Sequence, residues 1–105
     1  MAVIMMKGTT HTATVPVTVL PAGVGCTMRL GLTKDGGASI AASSGEIPFT
    51  STGVQQNVAL SITMPNEWGE YEVYIDVMYE NLVIGAYIAT EHVVIPYVEV
   101  GPPQW

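Results

Sequence analysis

The chain has 105 residues, 49% hydrophobic and 11% charged, which suits one domain with one core and excludes a disordered segment. A formal charge of −6, from three Lys plus Arg against nine Asp plus Glu, argues against nucleic acid or anionic membrane lipid as the main partner. A single cysteine, Cys26, leaves no internal disulfide, and a core of this size needs no bridge, metal or other cofactor to fold.

The opening Met1-Ala2-Val3-Ile4-Met5-Met6 is apolar, but it lacks a basic leading region and a small-residue cleavage site, so it reads as mature sequence. No apolar run approaches the roughly 20 residues of a membrane helix. Strand formers dominate, with Val the commonest residue and Thr, Ile and Tyr plentiful. Alternation of apolar and polar positions first appears at Val15, Val17 and Val19. Pro16 within that run cannot donate to a ladder, which assigns the strand to an edge or an irregular turn. The beat returns at Met28, Leu30 and Leu32, and short extended segments are expected near Ser39–Ala42 and Glu46–Thr50. Val58, Leu60, Ile62 and Met64 then alternate with Ala59, Ser61 and Thr63.

The clearest pattern runs from Glu70 to Glu80. Tyr71, Val73, Ile75, Val77 and Tyr79 make a core face, while Glu70, Glu72, Asp76 and Glu80 share the face turned to water. A tight turn at Glu80-Asn81, where Asn tolerates left-handed backbone, leads into a last extended stretch from Leu82 to Ile95. Turn clusters at Pro21–Gly25, Asp35–Gly37, Ser43–Gly45, Ser51–Gly53 and Pro65–Gly69 punctuate the chain about every ten residues. The expected architecture is all-β, an antiparallel seven-stranded sandwich over residues 12–95, with an N-terminal arm at 1–11 and a Pro/Trp tail at 96–105.

The segment Glu67-Trp68-Gly69-Glu70-Tyr71-Glu72-Val73 resembles the Asp-x-Gly-x-Tyr-x-Cys entry to strand F of immunoglobulin-like domains. Val73 stands where that family has its cysteine. With Pro65 upstream, the pattern is similar to the disulfide-free immunoglobulin-like modules of bacteria, archaea and phages. The resemblance implies an Ig-like sandwich in which Gly69 and Tyr71 build a structural corner, the Tyr71 hydroxyl bonding to backbone upstream. It implies fold and no chemistry.

The chemical inventory supports no catalytic site. Neighbours Glu91 and His92 point to opposite faces of a strand, His11 lies about eighty positions earlier, and Cys26 has no electropositive surroundings to activate a thiolate. The acids of Glu70–Glu80 are spaced about 6.8 Å apart or more along one face, so they do not converge as calcium ligands must. The three basic residues Lys7, Arg29 and Lys34 precede Glu46, and every acid but Asp35 lies from Glu46 onward, an asymmetry that permits a basic patch on one subunit to meet an acidic face on another.

The ends carry the strongest functional signal. Val3, Ile4, Met5 and Met6 at one end, and Tyr97, Val98, Val100 and Trp105 at the other, are apolar where tails are ordinarily polar, and Trp68 adds an aromatic in a turn. Gly101-Pro102-Pro103 would hold Gln104-Trp105 outward in a stiff extended form. Such ends either add a strand or a peg to a neighbour or fold back over the domain's own edges. The expected function is a non-catalytic structural or assembly protein that meets other protein subunits as a homo-oligomer or larger assembly through its termini and sheet edges. By analogy with the modules it resembles, this would be a virion component, such as a phage capsid decoration or tail module, or a surface-filament subunit outside the cell. The alternative is a carbohydrate- or protein-binding module with Trp68, Tyr74, Tyr87 and Tyr97 as stacking surfaces.

Overall fold

Period-two patterning along nearly the whole chain leaves no stretch in which a helix could bury one apolar face, and the computed structural model is all-β. It describes residues 2–34 and 39–105; the turn expected at Asp35-Gly36-Gly37 lies outside the described residues. Among these there are nine strands: β1 (Ala2–Ile4), β2 (Thr10–Val17), β3 (Gly25–Thr33), β4 (Ala42–Ser43), β5 (Ile47–Thr50), β6 (Gln56–Thr63), β7 (Gly69–Tyr79), β8 (Leu82–Ile88) and β9 (His92–Ile95). Two more than the expected seven arise because Ala2–Ile4 forms a strand and because the stretch from Leu82 to Ile95 is divided at Ala89–Glu91.

Seven strands form one sheet, ordered β1-β9-β7-β3-β4, with β5 also on β3 and β8 also on β7. The second sheet has only β2 and β6, paired antiparallel from Thr10↔Thr63 to Val17↔Gln56. The expectation of a purely antiparallel sandwich is corrected at one place, where β1 runs parallel to β9 through Ala2↔His92, Val3↔Val93 and Ile4↔Val94. Residues 1–11, expected as an N-terminal arm, contribute to both sheets. Its first strand belongs to the large sheet, and Thr10 and His11 already belong to β2.

The core lies between the sheets. Met28, Leu30 and Leu32 of β3, Tyr71 of β7 and Val93 and Ile95 of β9 face Val58, Leu60 and Ile62 of β6 and Met64 beyond it. On β6 the alternation is complete: Val58, Leu60 and Ile62 are buried, while Asn57, Ala59, Ser61 and Thr63 are exposed. On the outer face of the small sheet the hydroxyls of Thr10 and Thr63, and of Thr12 and Ser61, pair across the strands at 2.8 and 3.0 Å. Cys26 is buried with a free thiol. Pro16 lies in β2, a strand that pairs on one side only, where its missing N–H leaves the ladder intact.

Glu80 and Asn81 both take positive φ, 49° and 66°, the backbone of a two-residue type I′ hairpin that matches the twist of β7 and β8. Beyond the hairpin the register shifts between Val77 and Met78, so that Ile84 is an extra residue in β8. Tyr79, assigned by alternation to the core face, sits at the strand's end and is exposed, whereas Met78 on the opposite face is buried. The face of acids is also less solvated than alternation implies: Arg29 on β3 lies opposite Asp76 and binds it at 3.1 Å, and His92 Nδ1 meets Glu70 at 2.8 Å across β7 and β9. Lys34 binds Glu67 at 2.5 Å, so two of the three basic residues meet acids of their own chain, and the sign asymmetry along the sequence is largely matched within the fold.

Candidate interaction surface

One end of the two-sheet fold is organised round Tyr71. Its ring is buried and its hydroxyl donates to the carbonyl of Glu67 at 2.6 Å, fixing the turn from β6 into β7. Burial holds its pKa above the ordinary tyrosine value, with the nearby Lys34 ammonium opposing that shift. Gly69 at the start of β7 has φ 146°, a conformation L side chains rarely adopt, and a Cβ there would overlap the Lys34 side chain. Lys34 lies 5.9 Å from the Trp68 ring centroid and 5.4 Å from that of Tyr71, and its hydrogen bond to Glu67 raises its pKa. Tyr97 stacks against Trp68 with centroids 5.4 Å apart, which ties the root of the C-terminal segment to this end; its hydroxyl also donates to Glu99.

Past that contact the segment stands free. Val98 is 75% exposed and Val100 86%, and Trp105 is fully exposed. The molecule measures 69 × 24 × 22 Å. Its longest strand, the eleven residues of β7, spans only about 37 Å. The remaining ~30 Å matches ten extended residues, so 96–105 project along the long axis from the Gly69 end, where Ile95 pairs.

The N-terminal candidates divide differently. Val3 is half-buried in β1, and Met5, whose N–H donates to Val94 O at 3.0 Å, packs on the core. Ile4 and Met6 point to solvent. Val3 and Met5 also wall a hollow of about 260 Å³ between β2 and β9, which brings His11 and His92 to one cavity despite their distance in sequence. His11 is bonded to the Thr9 hydroxyl at 2.7 Å and His92 to Glu70, and buried Cys26 is not among the residues of that cavity. Among the described residues no three of His, Cys, Asp and Glu converge as a metal site would require.

Sequence reasoning singles out Tyr87 of β8 as a stacking surface and misses its apolar neighbours on the same strand. Leu82, Val83, Ile84, Tyr87 and Ile88 are between 51% and 69% exposed, on a strand that carries no charged side chain. The cause is the unequal size of the two sheets. The small sheet has two strands; β6 packs over β3 and β4, and β2 stands apart from β8 at the far edge instead of closing over it. Between β2 and β8 this leaves an apolar cleft of about 630 Å³, lined by Val15, Val17, Met28, Val77, Gly85 and Tyr87 among others, with no charged residue in its wall. A signal was present: Leu82–Ile88 is apolar at both phases of the alternation, which marks a strand wanting cover on both faces.

The aromatics do not form one platform. Tyr87 lines the cleft, Trp68 and Tyr97 sit at the end, and Tyr74 lies on the outer face of the large sheet, against Gly31, where any Cβ would overlap its ring. No protein-family model matches the chain, and no curated protein matches it.

Proposed function

We propose that this chain is an immunoglobulin-like structural subunit, non-catalytic, that joins copies of itself or other subunits through the open edge of β8 and through its C-terminal segment. The immunoglobulin-like assignment is supported by the placement of the strands. On this reading β3, β7 and the β8–β9 stretch correspond to C, F and G, and β2 and β6 to B and E; the hydrogen bond from the Tyr71 hydroxyl to backbone four residues upstream, at the start of β7, supports it.

The observation that carries the assembly role is the β8 edge. An uncharged strand of seven residues with free backbone groups on one side is a template for another strand, and soluble proteins ordinarily blunt such edges with Lys, Pro or a covering segment. Here only the bulge at Ile84 interrupts it. A surface of this kind suits a part that spends its working life packed against neighbours, as a repeating element of a virion surface or tail or of a surface filament does. The stacking-platform alternative has less behind it, because Trp68, Tyr74, Tyr87 and Tyr97 are spread over three surfaces.

Sedimentation velocity tests the proposal. The full chain is expected to sediment as an oligomer of the 11.1 kDa protomer, and a Val83→Lys, Ile88→Lys variant as a folded monomer. A monomeric unsubstituted chain at all accessible concentrations would sink the proposal.

A further inference from the structure

We infer that residues 97–101 of one copy occupy the cleft between β2 and β8 of a second copy, adding a strand to the free edge of β8 and linking copies head to tail. The inference rests on the assembly reading above and names the contact that makes it. The cleft is strand-shaped: β8 offers one side with unpaired N–H and C=O groups, and the wall beneath is apolar and uncharged. Pro16 on the opposite lip deprives β2 of one donor, which leaves β8 as the receiving edge.

The occupant's pattern matches. In Tyr97-Val98-Glu99-Val100-Gly101, the two valines fall on one face of an extended strand and Glu99 on the other, so Val98 and Val100 can enter the cleft while the carboxylate stays in water. Five residues span about 17 Å, within the roughly 24 Å of the seven-residue β8. Pro102 and Pro103, which cannot donate to a ladder, end the strand there and turn Trp105 onward.

Residues 97–101, at most about 20 Å of extended chain beyond Ile95, fall short of the centre of the chain's own cleft. The tail leaves at Gly69, and the cleft centres on Val77 and Gly85, eight residues along β7 or about 27 Å in the opposite direction. The edge along which a returning tail would run is already occupied by β1 on β9. A second copy displaced along the long axis presents its cleft to the tail with no reversal. The contact joins two different surfaces, so repetition gives a ring or a filament.

The test places one cysteine in the tail and one in the cleft of the same full-length chain, Val100→Cys with Tyr87→Cys, both at exposed positions, with the unsubstituted chain as control for Cys26. Mild oxidation is expected to yield a ladder of disulfide-linked oligomers that collapses on reduction. Val98→Asp with Val100→Asp is expected to weaken self-association by at least about tenfold with the circular dichroism spectrum unchanged. A covalently closed monomer would overturn the inference by placing the tail in its own cleft. Absence of cross-links from chains that still sediment as oligomers would overturn it and leave assembly through β8 standing. Absence of cross-links from chains that sediment as monomers would overturn both readings.

Discussion

β8 and β9 are consecutive pieces of one extended stretch, pair with the same strand β7, and are both rich in branched apolar residues, yet they end in opposite states. On β9, Val93 and Ile95 are buried; on β8, six of seven residues are exposed. The difference lies in what neighbours them. β9 has β1 on its outer side and β7 on its inner side, with the core of β6 beneath, while β8 has β7 alone. Hydrophobicity marks which strands want cover, and the number of strands in the facing sheet decides which of them receive it within a single copy.

The largest expected effect breaks this comparison at its covered half. Ile95 is 1% exposed, so Ile95→Ala should destabilise the fold by about 2 to 5 kcal/mol in urea denaturation, through lost burial and the cavity left behind. The equivalent change on the open half, Ile88→Ala, should move stability by no more than about 0.5 kcal/mol while weakening self-association. Equal destabilisation at both positions would show that β8 is covered in the isolated chain.

That contrast also marks how far the sequence could be read. Alternation in Glu70–Glu80 and Asn57–Met64 identifies the strands and most of their buried faces, because a sheet side with one dry and one wet face imposes that pattern directly. The Glu80-Asn81 hairpin is equally legible, since few residues accept two successive positive φ angles. The parallel pairing of β1 is not legible, because Ala2-Val3-Ile4 carries the same apolar character whichever strand it joins. Nor is the openness of β8, which depends on a second sheet of only two strands and so on contacts far apart in sequence. That both termini are apolar is plain from the sequence; that Ala2–Ile4 pairs inside its own sheet while Val98, Val100 and Trp105 stay exposed is decided by topology.

A middle-sized effect concerns the corner from which the tail departs. Tyr71→Phe keeps the buried ring and removes the hydroxyl that donates to Glu67 O, at an expected cost of about 1 to 2 kcal/mol. The same variant should change the response to alkali. Because burial raises Tyr71's pKa in the folded chain, the unfolded chain loses its proton first as pH climbs past the ordinary value of about 10. The unfolded state is then favoured, and stability falls until the folded tyrosine also ionises. Lys34 and Tyr97, whose pKa values are also raised, add to the decline in the same direction. Thermal melts from pH 9 to 11 should therefore slope downward in the unsubstituted chain and less steeply in Tyr71→Phe. An equal slope in both would assign the decline to Lys34 and Tyr97.

The smallest expected effect lies on the covered edge itself, at the contact between His92 and Glu70. The pair is well placed at 2.8 Å, but both side chains are more than a third exposed, so water and salt screen it. Glu70→Gln should change stability by less than about 0.5 kcal/mol at moderate salt. If β9 is held by β1 and by burial of Val93 and Ile95, removing this surface charge leaves it in place, and amide exchange at Val93 and Ile95 stays as slow as in the unsubstituted chain. Faster exchange confined to those amides would instead make the ion pair a fastener of the β9 edge, and the contrast with β8 would then owe part of its origin to charge and not to cover alone.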